Sequence, residues 1–179
     1  TSMSIPEVFR GRLRVPAIAA PMFLVSGPQL VGATCKAGVA AAFPTLNARS
    51  VEQLDQWLGD LTGSLDPGDA PFGVNLILHA SNARLKDDFD LVVKHRVPFV
   101  VTSLGHPGDV AAAVHAYGGL VFSDIIHAYH ARKAIEAGVD GVIAVASGAG
   151  GHAGTQSAFS LIREIREFWD GTLILGGSI

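Results

Sequence analysis

The chain has 179 residues, of which 49% are hydrophobic and 16% are charged, and its formal net charge is -3. This composition is typical of a globular domain with a substantial core, and the absence of a basic run argues against a nucleic-acid partner. No apolar stretch approaches the roughly 18 residues of a membrane helix, so no membrane partner is expected. The single cysteine, Cys35, cannot form an internal disulfide, which favours a cytoplasmic protein, and its apolar neighbours indicate a packing role.

Short apolar runs alternate with amphipathic segments along the whole chain. Most of these runs are continuously apolar, which is typical of parallel strands buried on both faces. The predicted strands are Ala17–Met22, Val39–Pro44, Phe72–Leu78, Pro98–Ser103, Leu120–Ile125, Gly141–Ala146 and Thr172–Leu175.

The segments between these runs carry helix signals. Ser26 is a candidate N-cap for a helix after the first strand, and Ser50 with Gln53 forms a capping-box pattern ahead of another. Amphipathic periodicity also predicts helices over Ala128–Ala137 and Phe159–Trp169. Strands that alternate with helices in this way indicate repeated βα units in an α/β fold with a parallel sheet.

Two architectures fit such units, an open doubly wound sheet and a closed barrel. An open sheet usually carries a glycine fingerprint after its first strand, and residues 20–27 do not fit that fingerprint. The glycine signals follow the sixth and seventh strands instead, where barrels commonly bind phosphate. We therefore predict a (β/α)8 TIM barrel that here ends after the seventh strand. Residues 1–179 are expected to form a single catalytic barrel domain that is incomplete at its C-terminus.

The most informative segment is the glycine-rich loop Ser147–Gly154, which follows the sixth strand. Glycines permit unusual backbone conformations and let main-chain N–H groups approach a ligand. The one bulky polar side chain in this loop is His152, and imidazole exchanges protons near neutral pH. We expect His152 to be catalytic, with a surface histidine in a glycine-rich turn as the alternative.

In a barrel of this type the active site lies at the carboxyl ends of the strands. The amide of Asn75, inside an apolar run, suits the edge of a heterocycle, although it could also tie down a neighbouring loop. Gly176, Gly177 and Ser178 follow the seventh strand and would present N–H groups to a phosphate.

Other polar residues near strand ends have more than one interpretation. Asp124 would either orient a ligand hydroxyl or cap the following helix, and Ser103 would contact a ligand or close a turn. His127 and His130 have a spacing that a metal site could use, but no third ligand is apparent, so surface or capping roles are favoured and no metal is expected.

Several segments, taken in chain order, resemble one known family. They are Pro16–Met22, Phe72–Leu76, Pro98–Gly105, Ala134–Gly141, Ala149–Gly154 and Leu173–Ile179. The early Ala-Pro-Met and the Ala-Gly-Gly-His-x-Gly loop make the chain similar to the FMN-dependent nitronate monooxygenases, also called 2-nitropropane dioxygenases. The segment that this family usually carries after strand eight is absent from the chain.

The resemblance implies a flavoprotein oxidoreductase with FMN as its cofactor. The implied cofactor-binding residues are Ala20, Pro21, Met22, Asn75, Asp124, Gly150, Gly151, Gly176, Gly177 and Ser178. Ser103 and His152 would contact the substrate, and His152 would remove the α-proton of a nitroalkane or hold the nitronate anion as an imidazolium. The family's reaction oxidises alkyl nitronates with O2 to a carbonyl compound and nitrite, so the partners are a small molecule and O2.

Other functions remain open at this stage. The same scaffold and histidine loop occur in flavin NAD(P)H:quinone reductases and in a flavin-dependent enoyl-ACP reductase. A flavin-free, phosphate-binding barrel lyase or isomerase is a further alternative, as is a remnant without catalytic activity. The sequence does not decide the substrate, the use of NAD(P)H or whether the protein forms a homo-oligomer.

Overall fold

A computed structural model of the chain describes residues 5–151 and 153–177. Seven parallel strands form one sheet in sequence order. They are β1 (Ile18–Ala19), β2 (Ala40–Pro44), β3 (Phe72–Ile77), β4 (Phe99–Ser103), β5 (Leu120–Ile125), β6 (Gly141–Val145) and β7 (Thr172–Gly176).

A helix follows each of the first six strands. The helices are α1 (Pro28–Lys36), α2 (Val51–Ser64), α3 (Leu85–Lys94), α4 (Gly108–His115), α5 (Ala128–Glu136) and α6 (Ala158–Arg166). Short 3-10 helices occupy Glu7–Phe9 and Thr45–Asn47. This order confirms the prediction of a (β/α)8 TIM barrel that ends after its seventh strand.

Every predicted strand is present, but the first is shorter than expected. The sequence predicted Ala17–Met22, whereas β1 contains only two residues. The carbonyl of Met22 accepts hydrogen bonds from the N–H groups of Val25 and Ser26, at 3.3 and 3.0 Å. These local bonds turn the chain away from the sheet before a longer strand can form.

Side chains that alternate along the strands build two apolar layers. The outer layer packs between the sheet and the helices and includes Val74, Leu76 and Val100. The inner layer fills the barrel and is centred on Phe99 and Phe122, both fully buried. This inner layer forms a solid floor, as expected for barrels of this size.

The inner layer is closed from below by the 3-10 helix near the start of the chain. Phe9 is 4% exposed, and its ring lies 5.4 Å from that of Phe99 and 6.0 Å from that of Phe122. The sequence analysis did not identify this segment, because three residues give no periodic signal. Phe9 therefore connects the segment before β1 to the core.

The predicted helix caps had different outcomes. Ser50 caps α2 by accepting a hydrogen bond from the N–H of Gln53 at 3.2 Å, so that prediction is confirmed. The Ser26 prediction is wrong, because Gly27 occupies the N-cap of α1 and the Ser26 hydroxyl accepts from the N–H of Met22 instead.

Across the residues that the structure describes, no helix is long and apolar enough to cross a membrane.

Candidate active site

Three of the predicted site residues form one hydrogen-bonded row at the carboxyl ends of β3, β4 and β5. Asn75 Nδ2 donates to Ser103 Oγ at 2.7 Å, and Ser103 Oγ donates to Asp124 Oδ2 at 2.5 Å. Asn75 and Ser103 are each 7% exposed, whereas Asp124 is partly exposed. We call these three residues the polar row.

The polar row lies inside the barrel, above the aromatic floor. Ser103 is two residues beyond Val101, and Asp124 is two residues beyond Phe122, so both continue the inward-facing alternation of their strands. Because parallel strands end at the same edge of the sheet, side chains that are distant in sequence meet there. The row is therefore a polar layer at the mouth of an otherwise apolar barrel.

The side-chain amide of Asn75 donates two hydrogen bonds to β4. Its two hydrogens are donated to Ser103 Oγ and to the carbonyl of Val101, the latter at 3.1 Å. Its Oδ1 makes no hydrogen bond to any residue within 5–151 or 153–177. The amide therefore ties β3 to β4 rather than to a loop, and its Oδ1 stays a candidate acceptor for a ligand N–H group.

The capping interpretation of Asp124 is wrong. The N-cap of α5 is His127, whose Nδ1 accepts from the N–H of His130 at 3.5 Å. The carboxylate of Asp124 instead accepts the Ser103 hydroxyl, so Ser103 links two strands rather than closing a turn. The capping role expected for the pair of histidines is confirmed for His127.

The pKa of His130, which lies beside His127, is lowered from its ordinary value. Partial burial is the main cause, and the neighbouring imidazole adds to it. The two rings lie with their centroids 3.8 Å apart. The stabilising contact at the start of α5 is therefore the N-cap hydrogen bond that the His127 side chain accepts.

The loop after β1 carries three further site candidates, Ala20, Pro21 and Met22. Ala20 and Met22 are exposed, and Pro21 is partly buried. All three lie at the same end of the sheet as the polar row, because β1 runs parallel to its neighbours.

The glycine-rich loop after β6 is closed at its base by backbone hydrogen bonds. The N–H of Gly154 donates to the carbonyl of Val145 at 3.2 Å, and the N–H of Ser147 donates to that of Gln156 at 2.8 Å. A Cβ at Gly154 would lie 2.6 Å from the Val145 oxygen, so this position requires glycine. The catalytic candidate His152 lies outside the described residues.

The tip of this loop has room for a ligand. A Cβ built at Gly150 or Gly151 would meet no heavy atom of residues 5–151 or 153–177 within 4 Å, and both residues are exposed. Gly151 has a φ of 75°, a conformation that favours glycine. The two candidates therefore form an open, glycine-lined surface.

The end of β7 packs against the same loop. Gly177 has a φ of 100°, and a Cβ there would lie 2.8 Å from the backbone nitrogen of Ala149. Glycine is required at this position to let the two loops approach, whatever they bind. A Cβ at Gly176 would meet only ordinary contacts at 3.8 Å, and Ser178 lies outside the described residues.

The sequence analysis missed Asn47, which follows β2. Its side-chain amide makes three hydrogen bonds to the loop after β1. The rule that found Asn75, a polar residue near a strand end, would also have found Asn47.

Two cavities, of about 250 and 200 Å3, lie at the opposite end of the sheet. Arg12 lines both, and its Nε donates to the carbonyl of Asp69 at 2.7 Å. They are formed by segments that precede the strands. The candidate active site is thus a separate, open region at the carboxyl end of the sheet.

Cys35 provides a test of the core around α1. Its side chain is fully buried, and burial raises the pKa of the thiol to about 11. We expect Ellman's reagent to label Cys35 in the unfolded protein and to leave it essentially unlabelled in the native protein, because the thiolate is both scarce and inaccessible. Rapid labelling of native protein would contradict this packing.

Comparison with known proteins identifies the family. A sequence profile of the nitronate monooxygenases matches residues 81–177. The chain is 29% identical over 164 residues to (3aS,4S,5R,7aS)-5-hydroxy-7a-methyl-1-oxo-octahydro-1H-indene-4-carboxyl-CoA dehydrogenase from Rhodococcus jostii, a match that covers 90% of this chain and 44% of that protein.

Solved structures give the same fold. FabK from Thermotoga maritima superimposes with a TM-score of 0.80 at 25% identity, over 91% of this chain and 50% of that one. Nitroalkane oxidase from Streptomyces ansochromogenes superimposes with a TM-score of 0.82 at 24% identity, over 94% of this chain and 60% of that one. The chain spans less than half of the curated relative and between half and three-fifths of these structures. On the profile match, which covers more than half of its residues, the chain belongs to the nitronate monooxygenase family.

Proposed function

We propose that this chain forms the flavin-binding barrel of an oxidoreductase, with FMN at the carboxyl end of the sheet. The observation that carries the proposal is the polar row, in which Asn75 Oδ1 accepts no hydrogen bond from the described residues and lies at the mouth of the barrel. An acceptor at that position suits an N–H group on the edge of a flavin pyrimidine. The family membership and the oxidoreductase names of the relatives support the same class.

The remaining cofactor contacts are proposed for the loops at the same edge. Ala20, Pro21 and Met22 would lie against the ring, and Gly150, Gly151, Gly176, Gly177 and Ser178 would bind the phosphate through their N–H groups. Asp124 would orient a ligand hydroxyl, with its carboxylate held by Ser103. The contacts proposed here account for one mononucleotide, so FMN is proposed rather than FAD.

The reaction proposed for this site is the oxidation of alkyl nitronates by O2, which yields a carbonyl compound and nitrite. A bound flavin would supply the electron transfer between the substrate and O2. His152 would remove the proton on the α-carbon of a neutral nitroalkane, or would hold the nitronate anion as an imidazolium. Ser103 would contact the substrate from the polar row.

A second candidate is an oxidoreductase that acts on a larger acyl thioester. The Rhodococcus relative is named as a dehydrogenase of a carboxyl-CoA compound. Large apolar side chains are also exposed at the mouth of the barrel, where Phe23 is 66% and Leu24 is 80% exposed after β1, and Leu104 is 52% exposed after β4. Such a rim would suit an apolar acyl group.

Residues 1–179 are proposed to belong to a single catalytic barrel domain. All seven described strands lie in one sheet, and β1 and β7 each pair on one side within the described residues. An eighth strand between them would close the barrel.

The flavin proposal is tested by spectroscopy and a pair of matched variants. The purified protein should bind FMN stoichiometrically, with flavin absorption in the visible range, and FAD should bind no better. Ser103→Ala and Thr102→Val each delete one buried hydroxyl from β4, but only Ser103 belongs to the polar row. We expect Ser103→Ala to weaken FMN binding about tenfold, because it removes a charge-assisted hydrogen bond, and Thr102→Val to leave binding unchanged.

The dissociation constant of FMN is measured for the wild type and for each variant by titrating the apoprotein with FMN and recording the quenching of flavin fluorescence. Wild-type protein that binds no flavin would refute the proposed cofactor. Equal losses in the two variants would show that the polar row has no special role in holding it.

A further inference from the structure

The loop after β1 has a constrained backbone. The hydroxyl of Ser26 accepts from the N–H of Met22 at 2.9 Å, and the carbonyl of Met22 accepts from the N–H of Ser26 at 3.0 Å. Within this turn Leu24 has a φ of 62°, which is unfavourable for a residue with a Cβ. Because the Leu24 side chain is 80% exposed, its own packing does not explain this conformation.

One side chain outside the loop accounts for it. Asn47 Oδ1 accepts from the N–H of Leu24 at 3.0 Å. Asn47 Nδ2 donates to the carbonyl of Met22 at 2.9 Å and to that of Ser26 at 2.8 Å. The amide thus uses one acceptor and both hydrogens on three backbone groups of the same turn.

Asn47 is itself held in place from the other side. The carbonyl of its neighbour Ala48 accepts from Arg84 Nη1 at 2.7 Å. Arg84 Nη2 in turn bonds Asp88 Oδ1 at 2.8 Å, and Asp88 is fully buried in α3. Hydrogen bonds from Arg84 thus fix the backbone next to Asn47, whose side chain in turn bonds the loop after β1.

We propose that Asn47 is the positioning residue of this loop, holding residues 22–26 in the conformation that presents Met22 to the flavin. That the loop presents Met22 to a flavin rests on the proposed function, whereas the role of Asn47 in holding the loop does not. Loss of the amide releases three backbone groups, including the N–H of Leu24, and leaves the turn to the hydrogen bonds that join Met22 to Val25 and Ser26. Asn47 touches the loop backbone and acts through it, so it differs from the residues that would contact cofactor or substrate.

The test compares Asn47→Ala with Gln53→Ala. Gln53 also uses a partly buried side-chain amide to bond backbone, accepting from the N–H of Arg49 at 2.6 Å, but within the described part of the chain it makes no bond to the loop after β1. The first measurement is the rate of chymotrypsin cleavage after Phe23 and Leu24 in the flavin-free protein. We expect Asn47→Ala to be cleaved about tenfold faster than wild type and Gln53→Ala at the wild-type rate.

The second measurement is the dissociation constant of FMN, expected to rise about tenfold in Asn47→Ala and to stay within twofold in Gln53→Ala. Adding Leu24→Gly to Asn47→Ala should recover part of this loss, because glycine adopts a positive φ without strain. If Asn47→Ala fails to fold, Asn47→Asp retains the acceptor and loses both donors, and the same results are expected from it.

Cleavage at the wild-type rate in the Asn47 variants would overturn the positioning role. So would an equal loss of FMN affinity in Gln53→Ala. A wild-type protein that binds no FMN would instead refute the proposed cofactor, and the cleavage rates would still decide whether Asn47 holds the loop.

Discussion

Replacing His152 by alanine is expected to lower turnover of a neutral nitroalkane by about 10²–10⁴-fold, the usual contribution of a positioned acid or base. The substitution should leave the fold intact, because the loop that carries His152 is closed at its base by backbone bonds from Gly154 and Ser147. Supplying the substrate as pre-formed nitronate should restore much of the rate, since the α-proton has already been removed. Steady-state rates on the two substrate forms measure the difference.

A matched control is His115→Ala. His115 lies at the end of α4, where its Nε2 bonds Asp140 at 2.7 Å, on the opposite side of the sheet from the polar row. Turnover should be unchanged in this variant. Equal losses on nitroalkane and nitronate in His152→Ala would identify an anchor for the anion rather than a base. Unchanged rates on both would remove His152 from the mechanism.

Replacing Phe99 by alanine is expected to lower the free energy of unfolding by about 3–5 kcal/mol. Phe99 is fully buried, its ring lies 5.4 Å from that of Phe9 and 6.1 Å from that of Phe122, and it packs directly over Gly73. Deleting the ring would open a cavity in the floor beneath the polar row, where neighbouring aromatic rings cannot close it. Urea denaturation followed by circular dichroism measures the change.

The same substitution at an exposed site provides the control. Phe159 is 92% exposed at the start of α6, so Phe159→Ala should change the free energy of unfolding by less than about 0.5 kcal/mol. A loss below about 1 kcal/mol in Phe99→Ala, or equal losses in the two variants, would contradict the assignment of Phe99 to the barrel floor.

The sequence was sufficient to predict most of the scaffold. Continuous apolar runs predicted each strand, and Leu120–Ile125 was predicted with the bounds that the structure has. Ser50 was also identified correctly as a cap, because a capping box is a local pattern. The prediction for Ser26 was wrong because its hydrogen bonding depends on a turn that a distant residue holds in place. Its hydroxyl bonds within a turn that is held by Asn47, and no local pattern shows that these two residues, 21 positions apart, are partners.

The candidate site was predicted as separate residues and not as an arrangement. Asn75, Ser103 and Asp124 were each identified at a strand end, with two interpretations apiece. Only the pairing of β3, β4 and β5 shows that they bond to one another, and this assigns the carboxylate to Ser103 rather than to the cap of α5.

The sequence by itself determined the alternation of strands and helices, the parallel sheet and the family resemblance, because these depend on periodicity and on residues close together in the chain. The tertiary structure decided which side chains meet: the polar row across three strands, Phe9 beneath the barrel floor and Asn47 on the loop after β1. These contacts join residues that are 21 to 113 positions apart. They form only when the sheet brings distant segments together. For that reason a local sequence pattern could identify candidate residues but could not predict their partners.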